Sequence, residues 1–203
     1  MEIKTFVLGL LNNNTYLAIN RENNTCLLID PSTPSKDVAN YIESNSLNLQ
    51  AILLTHGHFD HIGGVCFFKE KFNCKVYMHA DDVYFIDNPL KISRRYDKFE
   101  VDILVKDGDV LDLCGEKIKV AHTPGHSLGG VCYVLDNVIF CGDTIFKGSY
   151  GRTDLRGGDF GELYKSVKKI LDMQGDYILL SGHGAPTTSE FERENNPILG
   201  DKY

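Results

Sequence analysis

Short apolar runs recur along the chain, and most of them end at glycine, proline, asparagine or aspartate. Runs of this length, rich in branched and aromatic residues and bounded by turn residues, are typical of buried β-strands. The predicted strands span residues 3–8, 15–19, 25–29, 51–54, 74–78, 101–105, 109–113, 116–121, 131–135, 137–141 and 177–180.

Segments between these strands predict helices. Residues 35–44 begin with a serine that can cap a helix, and residues 62–72 follow directly on a histidine-rich turn. Residues 159–173 place their apolar side chains every three or four positions, which is the spacing of one helical face. The charged segment 80–100 predicts a helix followed by a long loop beside a pocket.

The order of these elements predicts the architecture. Strands, helices, more strands and a final helix suggest two sheets packed face to face with helices outside them. This is an αββα sandwich of the mixed α/β (α+β) class. A chain of 203 residues can bury a large core, so we expect a single domain over residues 1–203.

Composition and charge narrow the classes of partner. The chain is 42% hydrophobic and 24% charged, as globular proteins are, and its formal net charge is −7. Acidic proteins bind nucleic acid and anionic membranes poorly. No apolar run approaches the roughly 18–20 residues that span a bilayer. We therefore expect a cytoplasmic protein, monomeric or homodimeric, that acts on a small molecule without a nucleic-acid or membrane partner.

The six cysteines contain no Cys-x-x-Cys pair, and most of them lie in apolar runs. This pattern is typical of free thiols buried in a core. Cys141 stands two residues before Asp143, and we expect it to be a core thiol rather than a ligand.

The densest chemical signal is the sequence THGHFDH at residues 55–61. It places three imidazoles and one carboxylate within six positions, at His56, His58, Asp60 and His61. Four such ligands in one turn suffice for parts of two metal sites. A purely structural role would crowd these groups together with nothing to organise them.

Three further ligand candidates follow other apolar runs. His126, Asp143 and His183 each stand just past a predicted strand, next to glycine. Glycine lets the backbone turn sharply, so these side chains can converge at the ends of the sheets. Seven candidates exceed the four ligands of one zinc ion. They suit two metal ions about 3.5–4 Å apart, with Asp143 as the bridging carboxylate.

Other polar residues in these turns are expected to orient the ligands through hydrogen bonds. Metal-bound imidazoles usually donate their second N–H to a neighbouring oxygen. The candidates are Asp30, Thr55, Thr144 and Ser181. His79 and His122 stay outside the predicted ligand set, because packing beside a strand explains them equally well.

These motifs resemble those of the metallo-β-lactamase superfamily. THGHFDH, TPGH, GDT and SGHG stand in the order of its metal motifs, and the resemblance covers almost the whole chain. Segments 151–167 and 181–199 are similar to short glyoxalase II-like, or hydroxyacylglutathione hydrolase-like, enzymes. The resemblance implies the metallo-β-lactamase fold and a hydrolase as the broad function.

The resemblance also implies a ligand set for two divalent ions, with zinc as the first choice and iron or manganese as alternatives. The ligands of the first ion are His56, His58 and His126. Those of the second are Asp60, His61 and His183, and Asp143 bridges the two. True metallo-β-lactamases place a cysteine at the bridge and usually have no histidine after the aspartate of this motif, so His61 and Asp143 argue against antibiotic hydrolysis.

The implied reaction is hydrolysis of a thioester such as S-lactoylglutathione by a metal-bridging hydroxide. Asp60 and Asp143 are the expected catalytic groups, because they can orient the proton of the nucleophile. Lys147, Tyr150 and Arg152 are expected to contact the substrate, since glyoxalase II enzymes hold glutathione with a basic residue and a tyrosine in this region. Asp154 stands where that tyrosine would be, which leaves the thiol carrier open.

Other functions fit the same motifs. A persulfide dioxygenase would hold one iron with His56, His126 and Asp143. A lactonase or other ester hydrolase would share the metals and differ in its pocket. A nuclease would need a basic groove, which the net charge of −7 argues against. A purely metal-binding or interaction module is the least favoured function, because it would not explain why the ligand set for a reactive metal centre is complete.

Overall fold

Two six-stranded sheets lie at the centre of the molecule. The computed structural model describes residues 1–87 and 97–200. The strands of the first sheet follow chain order: β1 (Glu2–Leu8), β2 (Asn13–Asn20), β3 (Thr25–Ile29), β4 (Asn48–Leu53), β5 (Lys75–His79) and β6 (Ile103–Val105). Strands β1 to β3 are antiparallel, whereas β3 to β6 are parallel. The loops that follow β3, β4 and β5 therefore leave the sheet at one edge.

The second sheet is built mainly from hairpins. Its strands and the small hairpin of β11 and β12 beside it are β7 (Val110–Leu113), β8 (Glu116–His122), β9 (Val131–Leu135), β10 (Val138–Gly142), β11 (Ile145–Phe146), β12 (Ser149–Tyr150), β13 (Ile178–Ser181) and β14 (Thr187–Thr188). Their order in the sheet is β14-β13-β10-β9-β8-β7. Strands β10 and β13 are parallel, so the turns after them lie side by side.

Helices cover the outer faces of both sheets. They are α1 (Lys36–Ser44), α2 (Phe59–Ile62), α3 (Val65–Phe72), α4 (Tyr84–Asp87), α5 (Phe160–Leu171) and α6 (Ser189–Asn195). Ser35 caps α1 by accepting a hydrogen bond from the backbone N–H of Val38, and Asp159 caps α5 in the same way. Short 3-10 turns occur at Ala80–Asp82 and Pro197–Leu199.

Three separate apolar layers hold these elements together. The first lies between α1, α3 and the first sheet and includes Phe68. The second lies between the two sheets and includes Tyr133, and the third lies between the second sheet and α5 and includes Val167. All three of these side chains are fully buried. The order helix, sheet, sheet, helix confirms the predicted αββα sandwich.

The predicted helix at residues 62–72 is wrong at its start. The chain forms α2 and α3 there, with Gly63 and Gly64 between them. A Cβ atom at either glycine would overlap a backbone carbonyl oxygen, that of Ser32 or that of Thr33. The close approach of the loop after β3 thus requires both glycines and interrupts the helix. All of the predicted strands are present.

The remaining differences concern short elements. Strands β11, β12 and β14 have two residues each and are too short to show a hydrophobic period. Helix α6 has a mostly polar sequence, and it is fixed by the buried carboxylate of Glu192. The segment predicted as helix and loop at 80–100 begins with the 3-10 turn and α4. Its residues 88–96 lie outside the described part of the chain.

Two expectations about sequence composition can be compared with the structure. The six cysteines are free, and five of them are buried, including Cys141. Cys66 is the exception because it is half-buried, and its Sγ atom lies 2.9 Å from the carbonyl oxygen of Asp97. Within residues 1–87 and 97–200, the structure contains no helix with the length and hydropathy needed to cross a membrane.

Candidate metal centre

The loops after β3, β4, β8, β10 and β13 meet at one edge of the two sheets. They bring six of the seven predicted ligands together in two neighbouring groups. One group is His56, His58 and His126, and the other is Asp60, His61 and His183; in each, the potential ligand atoms lie within 4.8 Å of one another. We call these the first and the second cluster.

Asp143 lies between the two clusters. Its Oδ2 atom is 3.5 Å from Nε2 of His126 and 3.6 Å from Nε2 of His183. Its Oδ1 atom is 3.4 Å from Nε2 of His61. One carboxylate therefore faces imidazoles of both clusters, which is the placement expected of a bridging ligand.

Backbone and carboxylate oxygens fix the orientation of three imidazoles. His61 donates from Nδ1 to Oδ2 of Asp30 over 2.9 Å. His126 donates from Nδ1 to the carbonyl oxygen of Arg152 over 2.8 Å, and His183 donates to that of Leu11 over 3.1 Å. These oxygens can only accept, so in each neutral ring Nε2 keeps its lone pair, and it faces the clusters.

Several buried polar atoms at the clusters have no hydrogen-bond partner. They are Nε2 of His56, His58 and His61 and Oδ1 of Asp143. A buried polar atom left unpaired costs about 1–3 kcal/mol, and four within one site are not a stable arrangement by themselves. All four atoms are good metal donors. The residues present therefore fit bound metal ions.

Electrostatics favour the metal-binding forms of the first cluster. Burial, followed by the charge of His126, lowers the pKa of His58 to about 4. Burial also places the pKa of His56 well below its usual range. Both rings are therefore neutral at pH 7. Metal binding requires a neutral imidazole, so His56 and His58 need no proton loss to accept a cation.

The second cluster has the opposite balance. Burial alone would lower the pKa of His61, but the carboxylates of Asp143 and Asp30 raise it well above its usual value. Burial alone would raise the pKa values of Asp60 and Asp143. A hydrogen bond from His183 and the charge of His61 lower the pKa of Asp60, and the charge of His61 lowers that of Asp143. Two carboxylates stay ionised here, which suits a site for a cation.

Among the residues predicted to support the ligands, Asp30 and Thr55 do so. The carboxylate of Asp30 accepts hydrogen bonds from the backbone N–H and Oγ1 of Thr55, at 2.8 and 2.6 Å, in addition to that from His61. The hydroxyl of Thr144 instead donates to Thr123, and that of Ser181 donates to the carbonyl oxygen of Ile145. These two residues anchor their loops rather than orient a ligand.

His79 and His122 lie in a separate place, as predicted. Their rings are stacked with centroids 4.3 Å apart and nearly parallel, at an angle of 3°. With Asp81 they form a group whose potential ligand atoms are also within 4.8 Å. Lone pairs of parallel rings do not point at a common position, so this stack is not arranged for a metal ion.

Sequence reasoning missed two buried residues at the centre. Asn13 begins β2, and its Nδ2 atom lies 3.1 Å from Oδ2 of Asp60 and 3.3 Å from Nε2 of His183. Asp82 ends the 3-10 turn after β5, and its carboxylate contacts loops of the first cluster. A polar residue at the start of a fully buried strand was the available signal for Asn13. No local signal marks Asp82.

The predicted substrate-binding residues lie on the segment after Asp143. Both Nε and Nη2 of Arg152 donate to the Asp154 carboxylate over 2.6 Å at the exposed surface. The Lys147 ammonium lies over the ring of Phe191, 5.9 Å from its centroid. The ring of Tyr150 packs edge-on against that of Phe160. Their predicted role in substrate binding stays a prediction.

An αββα sandwich with two His/Asp clusters at one sheet edge defines a class of metal-binding proteins. The sequence model of the Metallo-beta-lactamase superfamily matches residues 8–183, and the chain belongs to this superfamily of metallo-hydrolases. The predicted fold and superfamily are thereby confirmed.

Curated relatives resemble the chain over its full length. It is 31% identical to the "Hydroxyacylglutathione hydrolase GloC" of Haemophilus influenzae, with 100% of both chains covered. It is 34% identical to the "Probable metallo-hydrolase YqgX" of Bacillus subtilis, with 98% of both covered.

Solved structures agree with the fold. The BLEG-1 B3 metallo-beta-lactamase superposes with a TM-score of 0.92 at 34% identity, covering 98% of this chain and 100% of that one. The protein TTHA1623 in a di-iron-bound form superposes with a TM-score of 0.87 at 32% identity, covering 97% and 100%.

Proposed function

We propose that this protein is a dinuclear metal hydrolase that cleaves thioesters, with S-lactoylglutathione as the model substrate. The observation that carries the proposal is the carboxylate of Asp143, which faces imidazoles of both clusters within 3.6 Å. A ligand set of five imidazoles and two carboxylates suits two ions. The likeness to GloC supports the thioester as the substrate class.

The seven ligand residues would divide between the two ions. His56, His58 and His126 would hold one ion, Asp60, His61 and His183 the other, and Asp143 both. Zinc is the first choice, and iron or manganese accept the same donors. Two such ions would supply Lewis acidity and a water of lowered pKa.

The protein's own groups then orient the reactants. Asp60 and Asp143 are partly buried beside the clusters, and their lowered pKa values keep them ionised, so each can accept a hydrogen bond from a water nucleophile and orient its proton. Asn13 donates to Asp60 and fixes the direction of that carboxylate. Ring rotation is prevented by the hydrogen bonds of the three imidazoles to Asp30, Arg152 and Leu11, so their free nitrogens stay aligned.

The proposed function is tested by metal content and hydrolysis together. Elemental analysis of the purified protein is expected to give two zinc ions per chain, and the protein is expected to hydrolyse S-lactoylglutathione. Removal of the metals with a chelator should abolish the activity, and zinc should restore it. Two bound zinc ions without hydrolysis would contradict the thioester assignment, whereas hydrolysis of a lactone panel alone would favour a lactonase.

A mononuclear-iron persulfide dioxygenase is the second candidate. His126 and Asp143 lie 3.5 Å apart through their ligand atoms, and the ring of His56 lies 4.9 Å from that of His126. These residues form the two-histidine, one-carboxylate set that iron oxygenases use. The iron bound by TTHA1623 also favours testing this metal. One iron per chain, with oxygen uptake on a persulfide, would replace the hydrolase proposal.

The likeness to the BLEG-1 B3 metallo-beta-lactamase makes β-lactams a necessary part of the substrate panel. The aspartate at position 143 predicts no hydrolysis of a chromogenic cephalosporin. Turnover of that compound at a rate comparable with S-lactoylglutathione would contradict this prediction.

A kinetic prediction tests the proposed role of Arg152 in substrate binding. Its guanidinium is held by Asp154 at the surface, so Asp154 competes with any substrate carboxylate for the guanidinium. Asp154→Ala is expected to lower KM for S-lactoylglutathione, and Arg152→Ala to raise it by about fivefold, with kcat unchanged in both. Lys165→Ala, which breaks the exposed pair with Glu162, is the matched control. Equal KM values in all three variants would exclude Arg152 from substrate binding.

A further inference from the structure

We propose that Asp82 is a positioning residue that sets the geometry of the first cluster and leaves the second cluster unaffected. This inference rests on the proposed metal centre. Asp82 is fully buried, and the hydrogen bonds of its carboxylate within residues 1–87 and 97–200 go to Gly57, Ser127 and Gly129 rather than to a ligand. Its carboxylate therefore binds the backbone and side chain of residues next to the ligands.

Three hydrogen bonds connect Asp82 to the two loops that carry the first cluster. Oδ2 accepts from the backbone N–H of Gly57, between His56 and His58, over 2.8 Å. Oδ2 also accepts from the hydroxyl of Ser127, which follows His126, over 2.7 Å. Oδ1 accepts from the backbone N–H of Gly129 over 2.6 Å. A single side chain therefore holds together two loops about 70 residues apart in sequence.

A carboxylate is the only side chain of this size that satisfies all three partners. Each partner is a donor, and the backbone N–H groups of Gly57 and Gly129 bind different oxygens. An asparagine has one oxygen, so its NH2 group would face one of these N–H groups and leave it unpaired. Asp82→Asn keeps the shape and removes this match.

The backbone around Asp82 also packs closely against both loops. A Cβ atom at Gly57 would lie 2.7 Å from the Asp82 carbonyl oxygen. A Cβ atom at Gly129 would lie 2.7 Å from the backbone nitrogen and 2.8 Å from Oδ1 of Asp82. Both loops thus contact the 3-10 turn with their glycines, and this contact requires the absence of side chains. The turn provides a fixed support for the two loops.

The second cluster has its own supports. His61 is held by Asp30, His183 by the carbonyl oxygen of Leu11, and Asp60 by Asn13. In the described part of the chain, the hydrogen bonds of Asp82 go only to Gly57, Ser127 and Gly129. Loss of Asp82 should therefore weaken one metal site and spare the other.

The experiment compares zinc affinities of the two clusters. Metal-free protein is titrated with zinc against a chromophoric chelator, and NMR signals of the histidine rings identify which cluster fills. In Asp82→Asn, zinc affinity at His56, His58 and His126 is expected to fall by about 10–100-fold, the usual effect of losing a residue that orients ligands. Affinity at His61 and His183 is expected to stay the same.

Glu192→Gln is the matched control. Glu192 is also a fully buried carboxylate that accepts from a backbone N–H, a hydroxyl and an amide, those of Gly148, Thr187 and Asn196. Its loss should lower stability without changing zinc affinity. Ser127→Ala removes one of the three donors and is expected to weaken the first cluster less than Asp82→Asn. If Asp82→Asn does not fold, the zinc affinity of Ser127→Ala tests whether Asp82 sets the geometry of the first cluster.

Equal weakening of both clusters, or the same affinities in Asp82→Asn as in Glu192→Gln, would show that Asp82 only supports the fold. The unaltered protein separately tests the proposed function, because fewer than two zinc ions there would contradict the dinuclear centre. In that case amide exchange in the metal-free protein tests Asp82. Faster exchange at Gly57 and Gly129 in Asp82→Asn is expected, and unchanged exchange would overturn the inference.

Discussion

Asp143→Ala is expected to lower the rate of thioester hydrolysis by more than about 100-fold, beyond the usual loss for a residue that only orients a ligand. Asp143 is the one predicted ligand whose two oxygens face both clusters, with Oδ1 toward His61 and Oδ2 toward His126 and His183. Its loss removes a donor from each ion at once. It also removes a carboxylate that can orient the nucleophile by accepting a hydrogen bond from it.

Metal content distinguishes the reasons for this loss. Elemental analysis of Asp143→Ala is expected to show fewer than two ions per chain, and circular dichroism should show an unchanged fold. Asp172→Ala, which breaks an exposed pair with Lys168 on the same half of the molecule, is the control and should keep full activity. Two retained ions with normal turnover would mean that Asp143 does not bridge.

The strand ends explain why so much of this centre could be predicted. His56, His126, Asp143 and His183 each follow a buried strand after a glycine or another turn residue, and that pattern is local in sequence. The sheets then align the strand ends, and this alignment alone brings the side chains together. The same locality made the longer strands predictable, because each of them shows its own hydrophobic run, whereas the two-residue strands β11, β12 and β14 show none.

The supports of the ligands could not be predicted in this way. Asn13 contacts His183 across 170 positions, and Asp82 contacts Ser127 across 45. Such pairs depend on how the loops approach one another in the folded protein. A hydrophobic period or a motif within one segment does not predict which distant residue its side chains will contact. The break between α2 and α3 could not be predicted for the same reason. The glycines there are required by the close approach of the backbone at Ser32 and Thr33, which are distant in sequence.

Gly125→Ala is expected to cause the largest loss of stability, about 3 kcal/mol or more, from backbone strain and overpacking that each cost about 1–3 kcal/mol. Gly125 has a φ of +125°, and a Cβ atom there would overlap the backbone nitrogen and Cα of Leu163 in the first turn of α5. Leu163 is fully buried in the layer between α5 and the second sheet. The helix would have to move away from the sheet to admit one methyl group.

Gly108→Ala separates strain from packing. Gly108 has a φ of +80°, and a Cβ atom there meets nothing within 4 Å, so its cost is backbone strain alone, about 1–2 kcal/mol. Thermal unfolding of the metal-free variants should give a melting temperature for Gly125→Ala lower than the unaltered protein by roughly 6–12 °C, and a smaller decrease for Gly108→Ala. Because Gly125 immediately precedes His126, Gly125→Ala should also weaken zinc binding at the first cluster. Equal losses of stability in the two variants would mean that α5 adapts to the methyl group, and that the glycine is required only for its backbone conformation.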